Sequence, residues 1–189
     1  MMNTSQELQV ERALDAVRNS GVILYPTDTI WGLGCDATNT RAIEKLNRIK
    51  QREIGKSYIL LMSGARQLRK YLANPVPDLD EFIEQFKEPT TIIYPNAVNL
   101  PDEVLAEDGS VAVRIVQHPF CLAVLHRLKN PILSTSANLS GQVAPLRRTD
   151  ILPEIVQGVD YCVEWEDNEQ GSPSTIFRLL DTGKLLVIR

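Results

Sequence analysis

Histidine, cysteine and aromatic residues are scarce in this sequence, and each shortage removes a class of chemistry. Two histidines, His118 and His126, and three cysteines, Cys35, Cys121 and Cys162, are all that the 189 residues contain. No Cys-x-x-Cys pair occurs and the histidines stand eight apart, so a structural zinc site lacks a ligand set. An odd number of cysteines without paired spacing predicts free thiols in a reducing compartment. Two Trp, five Tyr and four Phe leave few stacking platforms for single-stranded nucleic acid. The formal net charge of −4 argues against non-specific DNA binding, although a local basic patch remains compatible with it. No apolar run approaches a membrane span, and the N-terminus lacks the basic, apolar, small-residue order of a signal peptide. A cytoplasmic protein without membrane contact is expected, so the glycosylation-type triplet Asn138-Leu-Ser140 carries no weight.

Familiar catalytic motifs are missing too. Gly55-Lys-Ser57 resembles the end of a P-loop, but Lys50 stands where the first glycine is required, and the segment follows a helical pattern rather than a strand. Gly32-Leu-Gly34 lacks the third glycine of a dinucleotide fingerprint. There is no Gly-x-Ser-x-Gly elbow, and two histidines offer little choice of general base. His118, ahead of Pro119, is read as a helix cap, His126 as part of that helix's flank, and Cys35 as packing.

What is present is a globular composition, 43% hydrophobic and 23% charged, in a length that suits one domain over residues 1–189. Thr4-x-x-Glu7 has the form of a capping box, and Val10, Ala13, Leu14 and Val17 keep helical spacing, predicting a helix over about 5–19. Helices are also expected over 40–49, 64–72, from Leu79 through Phe86, from Pro119 to about Leu128, and near 150–156. Strands are expected at 22–25, 58–62, 90–94, 110–116, from Pro131, at 161–165, and as a hairpin of 174–180 with 184–189. The stretch 26–34 carries too many hydroxyls and glycines to read as a plain strand. Along 110–116, Val111, Val113 and Ile115 face one side, while Ser110, Ala112 and Arg114 face the other. Helices and strands interleave, and the hairpin argues against a purely parallel sheet. The fold expected is α/β, a twisted, open mixed sheet with helices on its faces.

The chemistry must then come from cations and hydroxyls. The run Leu133-Ser-Thr-Ser-Ala-Asn-Leu-Ser-Gly141 opens from a buried strand start into small polar residues, and the carboxyl end of a strand is where open α/β sheets hold ligands. Lys50, Arg52 and Lys56 cluster at the exit of the second helix. Arg114 is the odd residue of an apolar strand and needs either an internal carboxylate or an anionic ligand to offset its desolvation. Thr27 and Thr29 alternate after Tyr25, Ser172, Ser174 and Thr175 open a later strand, and Arg189 follows the last one. Cations and hydroxyls without nucleophile or base suit a site that binds charged groups and aligns them, which is how phosphoryl and nucleotidyl transfer is largely catalysed.

Tyr25-Pro-Thr-Asp-Thr-Ile-Trp-Gly-Leu-Gly34, Lys50-x-Arg52, Val111-Ala-Val-Arg114, Ser134-Thr-Ser-Ala-Asn-Leu-Ser-Gly141, Pro173-Ser-Thr-Ile176 and Ile188-Arg189 occur in this order. Together they resemble the YrdC family, the threonylcarbamoyl-AMP synthases in their short, single-domain form, over about residues 10–189. The resemblance implies a positively charged cavity and the condensation of L-threonine, bicarbonate and ATP, with Mg²⁺, into threonylcarbamoyl-adenylate and pyrophosphate. It also implies hand-over of the product to tRNA threonylcarbamoyl-transfer proteins, with tRNA contact and a monomer or homodimer both compatible. By its motifs Lys50, Arg52, Ser136 and Asn138 fall on the catalytic tetrad. Thr27, Thr29, Arg114, Ser136 and Ser174 fall where threonine is held, and Arg52, Lys56, Ser110, Asn138 and Arg189 where the nucleotide is held. No carboxylate cage for a metal is visible, so Mg²⁺ is expected to keep phosphate and water ligands. Where many family members have a proline after the Lys-x-Arg arginine this chain has Glu53, and for Pro-Gly-Pro-Leu-Thr it has Lys87-Glu-Pro-Thr-Thr91. Two other readings stand beside the synthase, an RNA-binding module and a paralogue acting on another amino acid or nucleotide.

Overall fold

The first helix is set by an asparagine rather than by the expected threonine. In the computed structural model, which describes residues 2–51, 58–165 and 171–189, α1 (Thr4–Arg18) starts at an Asn3 cap. The Asn3 carboxamide accepts the Gln6 N–H at 2.9 Å, and the Gln6 side chain accepts the Asn3 N–H at 3.1 Å. The box thus lies one residue before Thr4 and Glu7, since asparagine caps better than threonine. Strand β1 (Ile23–Tyr25) is followed by β2 (Gly32–Asp36), a strand hidden in the sequence by its glycines and buried along its entire length. Helix α2 (Thr40–Lys50), capped by Asn39, leads to β3 (Ile59–Met62). The helix expected over 64–72 is α3 (Ala65–Leu68) tightened into a 3₁₀ turn at Arg69–Tyr71.

Next come α4 (Leu79–Glu84), β4 (Thr90–Tyr94), β5 (Val111–Ile115), α5 (Pro119–Leu128) and β6 (Ile132–Ser136). Pro119 occupies the first turn of α5 as expected, but His118 makes no side-chain cap bond and instead packs its ring 5.8 Å from that of Trp165. Pro153 starts α6 (Pro153–Gly158), later than the expected 150–156, because a proline is favoured at the first helical position. Strand β7 retains only Tyr161–Cys162 of its expected span. Strands β8 (Thr175–Leu179) and β9 (Leu185–Val187) form the expected hairpin, with Gly183 at φ +79° in its turn.

The nine strands of the described residues join one sheet in the order β7-β1-β2-β6-β3-β5-β4-β8-β9. The β1/β7, β3/β5 and β4/β8 pairs are parallel and the rest antiparallel. Because side chains alternate across a strand, the registers assign each residue to a face. Leu24, Leu33, Cys35, Leu133, Leu60, Met62, Val111, Val113, Ile92 and Tyr94 share one face and join the core that includes α2, α3 and α4 residues. Burial pushes the Cys35 thiol far above the ordinary range, as a packing role requires. On the other face, Ile23, Tyr25, Leu61 and Ile132 are covered by α1 and α5. Further along the strands that second face continues with Gly32, Ser134, Ser136, Ile59, Ala112, Thr91 and Arg178, most of them small or polar. Two helices cover only part of the face, and the remainder is where a ligand can lie against the sheet.

Candidate active site

Six separate segments converge on that uncovered face. Residues Thr27, Thr29, Gly32, Ile59, Leu61, Arg114, Ser134, Ser136, Ser174 and Arg189 line one cavity of about 220 Å³, whose lining holds two arginines and no carboxylate among the described residues. A larger cavity, about 850 Å³, has Ile92, Tyr94, Val113 and Ile115 on its floor. It therefore lies against the opposite face and gathers none of the expected site residues.

The loop between β1 and β2 folds back over the sheet. The Pro26 carbonyl accepts the Cys121 thiol at 3.4 Å, and Asp28 accepts the Gln117 N–H at 3.2 Å. This brings Thr27 and Thr29 above the strands, their hydroxyls 2.9 Å apart, with Thr27 Oγ1 also donating to the Ile30 carbonyl at 2.7 Å. Segment 171–174 runs tightly against the same loop: a Cβ on Gly171 would strike the Thr29 carbonyl at 1.7 Å.

Arg114, 5% exposed, has a hydroxyl and a carboxylate as partners. Its Nη1 donates to Thr29 Oγ1 at 2.6 Å, and its Nη2 lies 3.3 Å from Asp28 Oδ1. Asp28 is the internal carboxylate that the sequence left as one of two options. It does not complete the guanidinium, because Nε is buried with no hydrogen-bond partner among the described residues. A cavity-lining arginine with an unsatisfied donor suits a carboxylate or phosphate. Asp28 was legible only as the charged residue between Thr27 and Thr29, with nothing local to pair it to Arg114.

At the exit of β6, Lys50 Nζ, on a residue 3% exposed, donates to the Ser136 carbonyl at 2.6 Å and the Asn138 carbonyl at 2.8 Å. Ser136 Oγ donates to Asn138 Oδ1, while Asn138 Nδ2 donates to the Leu139 carbonyl at 2.9 Å and the Gln142 carbonyl at 2.6 Å. Three expected catalytic residues thus form one network that fixes the shape of the strand exit, with Ser136 presented to the cavity. Arg52 and Lys56, together with Glu53, lie outside the described residues.

The remaining expected residues divide by place. Ser174 Oγ and Thr91 Oγ1 are 2.7 Å apart, both buried, and Arg189 Nη2 donates to the Ser174 carbonyl at 3.3 Å. Ser110 is not in the lining of the 220 Å³ cavity. Carrying the β5 alternation back one residue places it on the same face and opposite the row of Ser136, two strand spacings away, or roughly 10 Å. There its hydroxyl donates to Asp108 Oδ1 at 2.5 Å, and Arg178 pairs with the other oxygen at 2.7 Å. The bond from Ser110, then that from Arg178, lowers the Asp108 carboxyl to about 2. Arg178 and Asp108 are a polar continuation of the face that the sequence did not disclose, because their pairing depends on β4 separating β5 from β8.

Comparison with known proteins adds an independent line. The family profile described as "Telomere recombination" (Sua5/YciO/YrdC) matches residues 15–189. A threonylcarbamoyl-AMP synthase of Vibrio cholerae is 33% identical over 183 residues, covering 95% of this chain and 96% of its own. The crystal structure of P. abyssi Sua5 complexed with L-threonine superposes with a TM-score of 0.85 at 22% identity, covering all of this chain and 55% of that one. E. coli YciO does so with a TM-score of 0.80 at 27% identity, covering 97% of this chain and 89% of that one.

Proposed function

The chain belongs to the Sua5/YciO/YrdC family, and from that premise we propose that it is an L-threonylcarbamoyladenylate synthase serving threonylcarbamoyladenosine formation in tRNA. The observation that carries the reading is the convergence of Thr29, Arg114, Ser136, Ser174 and Arg189 on one small cavity, in a chain that spans nearly the full length of a synthase 33% identical to it.

In this reading the reaction is a nucleotidyl transfer. The threonine amine adds to CO₂ derived from bicarbonate, losing a proton and giving a carbamate. A carbamate oxygen then attacks the α-phosphorus of ATP, the bond to the bridging oxygen breaks, and pyrophosphate leaves with its electron pair. Arg114, which lines the cavity with its Nε unpaired among the described residues, suits the threonine carboxylate. Thr29 and Ser174 flank it as hydroxyl partners. The Lys50–Ser136–Asn138 network holds the strand exit rigid, so that Ser136 meets the reacting groups without reorganising. Arg189, with Arg52 and Lys56, supplies positive charge to the polyphosphate, while Ser110 extends the nucleotide side of the floor. Among the described residues no three His, Cys, Asp or Glu side chains form a metal-binding group. Mg²⁺ would therefore be carried mainly by the phosphates of ATP, where it would neutralise charge.

We read residues 1–189 as one catalytic domain, supported by the single continuous sheet. The product would pass to proteins that transfer the threonylcarbamoyl group to tRNA, in the cytoplasm. The deciding assay is threonine- and bicarbonate-dependent pyrophosphate release from ATP, with the adenylate identified by mass spectrometry. Folded protein that gives no product at millimolar substrates refutes the reading.

A further inference from the structure

The two glycines of Gly32-Leu-Gly34, which form no dinucleotide motif, have a different use. Tyr25 pairs with Gly32 and Ile23 with Gly34 across β1/β2, while Gly32 pairs with Ser136 and Gly34 with Ser134 across β2/β6. Tyr25, Ser134 and Ser136 therefore share a face, with β2 lying between the tyrosine and the serines. The Tyr25 ring crosses over β2 and its hydroxyl donates to Ser134 Oγ at 2.7 Å. It can do so because β2 is bare at both crossing points. A Cβ on Gly32 would sit 3.2 Å from Ser134 Oγ and 3.3 Å from Tyr25 Cζ; one on Gly34 would sit 2.9 Å from Tyr25 Cε1. Tyr25 is wholly buried and its phenol is pushed far above the ordinary range, mainly by that burial. It stays protonated and acts as a fixed donor.

The consequence falls on Ser134. Among the described residues Tyr25 is the partner of its hydroxyl, so the acceptor side of Oγ is occupied and its own proton is left to donate into the cavity it lines. Beside it on the same face stand the apolar side chains of Ile59, its cross-strand partner, and Leu61, the partner of Arg114. With a ligand carboxylate on Arg114, the floor from Leu61 to Ser134 offers apolar surface followed by one hydrogen-bond donor. That arrangement matches a side chain carrying a methyl and a hydroxyl on the same carbon.

We infer that Ser134, oriented by Tyr25 across the two-glycine gap, selects the β-hydroxyl of the amino acid, with Tyr25 acting as a positioning residue through Ser134. The inference rests on the synthase reading for the amino acid's presence in this cavity. A site built to donate to a hydroxyl discriminates against the isostere lacking it, and losing one such bond is worth roughly tenfold.

The test compares threonine, serine and valine as substrates of the full chain and of Ser134→Ala, Tyr25→Phe and the double variant, each shown to be folded by thermal melting. Ser134→Ala should reduce the threonine-to-valine ratio of kcat/KM by roughly tenfold and Tyr25→Phe by roughly threefold, with the threonine-to-serine ratio held. The double variant should show no more loss than Ser134→Ala, because Tyr25 acts through Ser134. An unchanged threonine-to-valine ratio in Ser134→Ala overturns the inference, as does equal loss for all three amino acids. Calorimetric binding of threonine and valine, without ATP, reads the same selectivity independently of catalysis. A wild-type chain that prefers threonine in binding but makes no adenylate would refute the synthase reading and leave the selectivity standing. Absence of threonine binding removes both.

Discussion

Replacing Asp28 by asparagine separates what Arg114 needs for folding from what it offers to a ligand. The pair is 3.3 Å apart, with side chains only 6% and 14% exposed. At an effective dielectric of about 20 the gross attraction at that distance is about 5 kcal/mol, much of it offset by desolvation of the two ions. Removing one member of a buried pair leaves the other uncompensated, which typically costs about 3–5 kcal/mol. The lower end applies here, because Asp28 Oδ1 makes no hydrogen bond in this contact, and because asparagine can keep the acceptor for the Gln117 N–H. A loss of about 3 kcal/mol lowers the melting temperature of a chain this size by roughly 6–12 °C.

Ligand binding should move the other way. Arg114 keeps its 2.6 Å bond to Thr29, so its position survives, while the carboxylate that competes with an incoming anion is gone. Asp28→Asn should therefore bind threonine at least as tightly as the native chain, and threonine should raise its melting temperature by more. Urea denaturation gives the stability change, and calorimetry and melts at several threonine concentrations give the linkage. Unchanged stability would show that the ion pair does not hold the loop. Weaker threonine binding from a folded variant would refute the account of Arg114 as the partner of the threonine carboxylate.

Other perturbations follow from the same geometry. Lys50→Ala removes, among others, the bonds of Nζ to the Ser136 and Asn138 carbonyls, each worth roughly 1.5–3 kcal/mol, and should lower turnover about a hundredfold or more through collapse of the β6 exit. Native turnover in single-turnover kinetics would remove Lys50 from the mechanism. Gly34→Ala places a Cβ 2.8 Å from both Ile132 Cγ2 and the Leu133 carbonyl, and overpacking of this kind costs about 1–3 kcal/mol, readable as an earlier urea midpoint. Asp108 has its carboxyl lowered to about 2, first by Ser110 and then by Arg178. A depressed folded-state pKa contributes stability above the ordinary carboxylate range that is lost as pH falls through the folded value. Asp108→Asn should thus be less stable than the native chain at neutral pH, by under about 1 kcal/mol for so exposed a pair. The difference should shrink between about pH 4 and pH 2 in parallel melts; a constant difference would refute it.

How far the sequence spoke depended on the range of the interaction concerned. Periodicity found α1, α2, α5 and the β8/β9 hairpin because their signals are local: spacing, a proline in the first turn, a turn glycine. It missed β2, whose Gly-Leu-Gly-Cys-Asp run has poor strand propensity and exists as a strand because β1 and β6 enclose it. The same limit governs the site. The alternation of Ser110, Ala112 and Arg114 was readable within one strand and held. Arg178 beside Asp108, Asp28 beside Arg114, and Thr91 beside Ser174 are neighbours only through the strand order. The glycine pair was legible as composition but not as a gap, since its purpose lies in a tyrosine two strands from its serine.

The β4/β8 pairing has a consequence in time. Thr91 and Ser174, 83 positions apart in the chain, meet only after β8 has been laid parallel to β4. On the ribosome, where the N-terminal part emerges first, the walls from the β1–β2 loop, β3, β5 and β6 can form while those of Ser174 and Arg189 are still missing. A nascent chain ending before Ser174 would present a polar sheet face and an unpaired β4 edge, with no competent pocket. Closure of that edge by a late, distant segment makes folding slow relative to chains of local contacts. The interval before β8 arrives is when β4 is most open to pairing with the wrong strand.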